Sequence, residues 1–386
     1  MILSVLRRKA LLFLLYLLFP AFVHTSGAAV ARSSDKLPAG SRLTKIEVEG
    51  DVMGYWNADT VRVQGDIHLQ AGQQLDIAPG VVVLFEGFYG FTVEGQLNAT
   101  ATPAQPILFT VADTTGLHDI YSEAGAWKGL FLIGDLTEPE SGFSKAAARG
   151  ADGAKETTAF FAHCHFQYAK APANAAIRDG GAVFILGSGH FVFTHCRFFR
   201  NYSFLSGAGA WFSDSSPTFN HCHFVENYAG HPPGEDEEYG YGGGLCAIDT
   251  KGEVEWCVFE SNWSSGIGGG LSVDNGDVRI QNNIFRHNDS PLGGGFGILR
   301  SNYSTVIANN LVHDNNSEFF GGGMALITFQ GIVANNTVTG NFAGYGGGIY
   351  CAFESYPQIY NSIIWGNDAY TPVGYQVFIW DSESEP

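Results

Sequence analysis

Charge is scarce in this chain, and positive charge most of all: 20 Lys and Arg stand against 38 Asp and Glu among 386 residues, a net charge of −18. Binders of nucleic-acid backbones concentrate basic residues, so that partner class is excluded. Only 15% of the residues are charged, too few for the Glu/Lys/Arg-rich pattern of a coiled coil. Aromatics make up 14%, far above what a disordered chain carries. Helical periodicity is missing, which excludes ankyrin and tetratricopeptide arrays. No apolar run reaches the length of a membrane span. The longest, Ala10–Val23, is fourteen residues interrupted by Pro20.

That run follows Arg7-Arg8-Lys9 and precedes Ala29-Val30-Ala31, the layout of a secretory signal peptide cleaved before Arg32. Residues 1–31 are thus expected to be an export signal. With Arg7, Arg8 and Lys9 removed, the mature chain is expected to carry a charge of about −21. It is expected to lie outside the cell or on its surface, and not to span a membrane.

Glycine is abundant, at 50 residues, and its placement reveals a repeat. Phrases such as His163-Cys164-His165-Phe166, His195-Cys196-Arg197-Phe198, His221-Cys222-His223-Phe224 and Trp256-Cys257-Val258-Phe259 continue as Asn282-Asn283-Ile284-Phe285, Asn309-Asn310-Leu311-Val312, Asn335-Asn336-Thr337-Val338 and Asn361-Ser362-Ile363-Ile364. Their second positions are 32, 26, 35, 26, 27, 26 and 26 residues apart. An Asn recurs three residues after each phrase from the second onward: Asn201, Asn227, Asn262, Asn288, Asn315, Asn341 and Asn367. Between phrases stand glycine clusters, five of them triple glycines ending at Gly244, Gly270, Gly295, Gly323 and Gly348. Alternating polarity with Gly and Asn punctuation means strands and turns. A unit near 26 residues is too short for a propeller blade. It fits one coil of an all-β, single-stranded right-handed parallel β-helix of about eleven coils, each expected to hold three short strands and to stack at about 4.8 Å.

Stacking places repeated positions in columns. The Phe column (Phe166, Phe198, Phe224, Phe259, Phe285) is expected to stack inside, and the Asn column to occupy turns. The glycines are expected at tight bends that demand positive φ or leave no room for a Cβ. The column Cys164, Cys196, Cys222, Cys257 continues as Asn or Ser, so the six cysteines are expected to be buried free thiols rather than a disulfide framework.

These Gly-Gly-[Gly/Ala]-apolar and Phe-x-x-Asn motifs resemble those of right-handed parallel β-helix repeat proteins, including polymorphic outer-membrane proteins of chlamydial type. Residues 60–110, with Gln74-Leu75-Asp76-Ile77-Ala78-Pro79-Gly80 and Val93-Glu94-Gly95-Gln96-Leu97, are similar to the opening coils of secreted pectate-lyase-like proteins. The resemblance implies the fold. It leaves function open, since the family includes lyases, hydrolases, epimerases and adhesins.

The expected organisation is a signal at 1–31, a linker at 32–41, first coils at 42–133, a surface insertion at 134–158, and regular coils at 159–386 with an acidic insertion at 228–241. The last coil stops without a capping element, so the chain is expected to be a truncated product. Three groups of site candidates emerge. His163, His195 and His221 share one column, and His165 and His223 share another with Arg197. Together they could present two or three imidazoles to zinc, although duplication of a polar column is the plainer account. Asp249, Asp274 and Arg300 are the best available grouping for acid/base chemistry or a calcium-held uronate. Phe184, Phe212 and Tyr350 are expected to face outward and stack sugar rings. No acid/base set of a known lyase or hydrolase is evident. The expected function is therefore a non-catalytic exported protein whose rigid face binds an extracellular glycan or a cell surface. A polysaccharide lyase or glycoside hydrolase is the alternative.

Overall fold

The computed structural model describes residues 43–136, 156–231, 238–301, 304–372 and 374–380. The expected signal and linker therefore lie outside the described residues, as do most of the 134–158 insertion and the acidic run Glu235–Glu237. The described chain is all-β, and its neighbouring coils pair in parallel throughout the named strands.

From Thr158 onward each coil carries four strands, not the expected three. One coil runs His190–Thr194, Arg197–Phe199, Tyr202–Ser203 and Ala210–Ser213. The difference lies in the third strand, which at two residues is too short to leave a pattern in the sequence. We call the four stacks faces one to four in this order. Face one is an eleven-stranded sheet and face three an eight-stranded sheet. Faces two and four form one twenty-two-stranded sheet, joined through the long strand Ala58–Leu69, which pairs with both Val82–Phe85 and Gly90–Val93.

The repeated columns arise from the corners. Before each Cys or Asn of the Cys column the backbone turns left-handed, with φ of 53° at His163, His195 and His221 and 58° at Asn282 and Asn309. Before each ladder Asn the same turn falls on Arg200, Glu226, Ser261, His287 and Asp314. The Asn residues, expected to occupy turns, thus follow the left-handed position rather than hold it. They point inward, where Asn227, Asn262, Asn288 and Asn315 are essentially inaccessible. Each amide donates to the next Asn Oδ1 at 2.9 Å and to a Phe carbonyl of the preceding coil at 2.9–3.1 Å. Each Oδ1 also accepts the backbone N–H of the Asn before it, as in Asn262 N to Asn288 Oδ1 at 3.0 Å. The ladder therefore satisfies polar groups that a solenoid corner would otherwise bury unpaired. A second ladder runs down the Cys column, with Cys257 N–H donating to Asn283 Oδ1 at 2.8 Å and Asn283 N–H to Asn310 Oδ1 at 2.9 Å.

Between the ladders the Phe column stacks as expected. Ring centroids from Phe166 to Phe285 lie 5.2, 4.5, 4.7 and 4.8 Å apart in turn. A second stack, Phe161–Phe193–Phe219, packs against it at 4.8 Å per step. All six cysteines are buried, and none forms a disulfide. Burial pushes the thiols of Cys164 and Cys222 far up and that of Cys351 up to about 12. In the triple glycines the first residue has positive φ, 73° at Gly268. A Cβ on Gly269 or Gly270 would lie 2.6–2.7 Å from carbonyls of the next coil. Both reasons for glycine therefore act, on different residues of one motif.

Candidate functional site

The outward position of face three is the residue immediately after each ladder Asn. The column reads Lys170, Tyr202, Tyr228, Trp263, Asp289, Asn316, Phe342, Asp368. Its beginning is covered. Residues 113–126 fold over Lys170 and Tyr202, packing Leu117, Ile120 and Ala126 against Tyr202, Phe204 and Leu205. Lys170 is wholly buried and its ammonium donates to the carbonyls of Gly116, Asp119, Ser122 and Ala124 at 2.8–3.1 Å. From Tyr228 onward the face opens. Tyr228 stacks on Tyr202 at 5.5 Å and on Trp263 at 5.8 Å, forming a ring strip along the axis.

Beyond Trp263 the strip widens into a cleft of ≈ 660 Å³ whose lining includes Trp263, Asp289, Glu318, Phe319, Phe342 and Tyr370. A bulge shapes it. The strand Asn316–Phe320 carries one residue more than its partner between Ser317 and Phe320, which turns Glu318 and Phe319 out to solvent. Phe319 is half exposed, Phe342 and Tyr345 somewhat less, and Tyr370 stands 85% exposed. Asp289 is half-buried in the cleft and accepts the Asn316 amide at 3.2 Å. Burial holds its carboxyl above the usual range, the Asn316 bond works the other way, and the neighbouring Glu318 charge adds to the rise. The cleft thus combines apolar rings with two carboxylates, and no Lys, Arg or His is among its described lining residues.

The expected histidine columns are real stacks on the surface. His163 and His195 lie 4.8 Å apart with planes 4° from parallel, and His221 follows at 4.7 Å. Imidazole lone pairs lie in the ring plane, so parallel rings cannot aim them at one ion. Arg197 sits in the column between His165 and His223. Burial first, then Arg197, lowers the pKa of both. Among the described residues no group of three His, Cys, Asp or Glu is placed to hold a metal ion. The fold thus stacks His163, His195 and His221 in one surface column and sets Arg197 between His165 and His223 in the other.

Asp274 and Arg300 do meet. The guanidinium donates from Nε and Nη2 to the two carboxylate oxygens at 2.7 and 2.5 Å. Asp274 is buried, and Asp249 is engaged by the Asn275 amide at 2.5 Å. The cation is spent on one carboxylate and the other is held by an amide, so this grouping reads as a corner brace between coils.

The outward aromatics are the clearest correction. Phe184, Phe212 and Tyr350 are all buried, at 1%, 0% and 5% exposure. Phe184 pairs with Trp211, not with Phe212, and stacks on it at 4.6 Å. Phe212 is inward core. Tyr350 lies between Phe320 and Phe378, and burial raises its phenol to about 12. Face four is buried on both sides because residues of the turns, such as Ile177, Tyr241 and Ile267, cover it, so alternation there does not report exposure.

Residues 152–338 match the family model described as a right-handed β-helix region. No curated protein and no solved structure matches the chain. Among the described residues no helix is long and apolar enough to cross a membrane.

Proposed function

Taking this chain as a right-handed parallel β-helix repeat protein, as its coils and its family match make it, we propose that it is a glycan-binding protein whose binding surface is the open part of face three. The observation that carries this reading is the ring strip from Tyr228 through Trp263 to Phe342 and Tyr370, which runs along the coil axis and ends in a cleft. Sugar rings present apolar C–H faces to aromatic rings. Strand spacing of about 4.8 Å delivers stacking positions at intervals comparable to one sugar unit. Exposed rings gathered on one face beside a cleft are uncommon on a soluble surface unless something binds there. Other outward positions carry charge pairs, as in Arg62–Glu86, Arg200–Glu226 and Arg286–Glu260, while further exposed rings, among them Tyr356, Tyr360 and Trp365, stand in the last described coils.

The test is electrophoretic retardation of the purified chain in gels carrying soluble polysaccharides. Retardation by at least one polymer is expected, and Phe342→Ala with Tyr370→Ala is expected to abolish it. Retardation unchanged in the double variant places the binding surface elsewhere and refutes the assignment.

A second reading has one specific observation in its favour. Asp289 has a raised pKa and shares the cleft with the Glu318 carboxylate, the pairing expected of a general acid and its partner in glycoside hydrolysis. Release of reducing ends that disappears in Asp289→Asn would establish that reading. A lyase is less compatible, because the cleft's described lining offers no Arg or Lys to serve as base.

A further inference from the structure

The chemistry of the cleft narrows the ligand once face three is taken as the sugar-binding surface, and the narrower assignment rests on that reading. We propose that the cleft recognises a polymer of amino sugars carrying free, protonated amines.

Three observations converge. The first is the sign of charge. Asp289 and Glu318 line the cleft, and Asp368 follows Phe342 one coil further along the same column. Asp289 and Asp368 are three strand spacings apart, about 14 Å, with the Phe342 ring between them. Along the direction a linear polymer would take, the column from Trp263 therefore reads ring, carboxylate, amide, ring, carboxylate. The second is the lack of internal counter-ions. Several carboxylates elsewhere pair across neighbouring turns, as in Asp66–Lys128, Glu226–Arg200, Glu260–Arg286 and Asp274–Arg300. Among the described residues no Lys, Arg or His forms an ion pair with Asp289, Glu318 or Asp368, and half-burial of Asp289 beside Glu318 is a cost that an incoming cation relieves. The third is the rings themselves. Phe319, Phe342, Tyr345 and Tyr370 line the same space, and an ammonium over an aromatic face is attracted by the ring quadrupole. A glycan amine satisfies all three at once: its C–H face stacks on a ring and its ammonium meets a carboxylate. A uronate polymer meets like charge at each of these positions, on a protein of net charge −18.

The experiment is calorimetric titration of the intact chain at about pH 6, where primary amines are protonated, with three oligomers of equal length: glucosamine, N-acetylglucosamine and galacturonate. The glucosamine oligomer is expected to bind about tenfold or more tighter than its acetylated counterpart, with an advantage that shrinks as salt is raised. The pair Asp289→Asn and Glu318→Gln, isosteric changes at a partly exposed site, should remove that advantage. Phe342→Ala should weaken both oligomers alike. Equal or tighter binding of the acetylated or the uronate oligomer overturns this proposal while leaving the sugar-binding reading intact. No binding of any of the three overturns this proposal, and the sugar-binding reading falls with it only if the gels show no retardation by any polysaccharide.

Discussion

Replacing Asn288 by Ala tests the physical basis of the coil stack. The Asn288 side chain donates to Phe259 O at 3.0 Å and to Asn315 Oδ1 at 2.9 Å, and its own Oδ1 accepts Asn262 N–H at 3.0 Å and the Asn262 amide at 2.9 Å. Asn315 keeps a donor in the variant, because the backbone N–H of residue 288 still reaches it at 3.0 Å. Asn262 loses the acceptor of two N–H groups, and Phe259 O loses a donor, all at positions closed to water. With about 1–3 kcal/mol for each buried polar group left unpaired, partly relieved by local movement, the loss is about 3–5 kcal/mol. That is a large share of an ordinary stability of about 5–15 kcal/mol. The assay is equilibrium urea unfolding followed by far-ultraviolet circular dichroism and tryptophan fluorescence. A solenoid couples only neighbouring coils, so the break should also separate the two probes into distinct transitions. Asn367→Ala, 5% exposed and paired with the Gln376 side chain, should cost less because water can replace its partners. Asn316→Ala, which removes one partly exposed bond to Asp289, should cost no more than about 1 kcal/mol. An Asn288→Ala loss no larger than that of Asn316→Ala would refute the ladder as a source of stability.

Buried and half-buried groups carry further consequences. All six thiols should be unreactive toward a disulfide-forming reagent in the folded protein and all six should react after denaturation; fewer than six after denaturation would reveal a bridge. Lys170→Met removes the donor shared by four carbonyls of the 113–126 cover, and should cost about 2–4 kcal/mol and open that segment to limited proteolysis. Unchanged protection would show that Leu117 and Ile120 hold it without the ammonium. The raised carboxyl of Asp289 means that the folded chain binds its proton more tightly than the unfolded chain. The penalty on its charge is therefore fully present above the folded pKa and gone below the ordinary carboxylate range. Asp289→Asn should accordingly be more stable than wild type at neutral pH, with the gap closing as pH falls through that window; a gap independent of pH would assign the effect to something other than the charge.

Much of the architecture is legible in the sequence because stacking forces columns. The Cys/Asn phrases, the ladder Asn and the triple glycines each fall at their expected places, and the inward Phe stack can be named residue by residue. Two departures share one cause. A two-residue strand such as Tyr202–Ser203 leaves no alternation to read, so the third strand of the coil is invisible in sequence. The Asn column then looks like the turn itself, which lies one residue earlier. Face four misleads for a different reason. Leu271–Asp274 alternates in polarity yet is buried at all four positions, since covering turns bury its outer side. Phe184 and Tyr350 therefore look exposed in sequence while being packed in the fold. The ring strip of face three is present in the sequence as the residue following each ladder Asn. It is hard to see because Tyr, Tyr, Trp, Asp, Asn, Phe and Asp share no residue type. The bulge that presents Glu318 and Phe319 leaves little trace either, since a glycine-rich turn follows it directly and absorbs the extra residue.

The central claim is that the open part of face three binds sugar. It is tested most directly by titrating oligosaccharides into the uniformly labelled protein while following the aromatic side-chain resonances by NMR. The account predicts that the rings of Trp263, Phe342 and Tyr370 shift together, in a saturable way, while the stacked imidazoles of His163 and His195 stay put. Shifts confined to the histidine face, or no saturable shift at any ring with neutral, aminated and acidic oligomers alike, would contradict it.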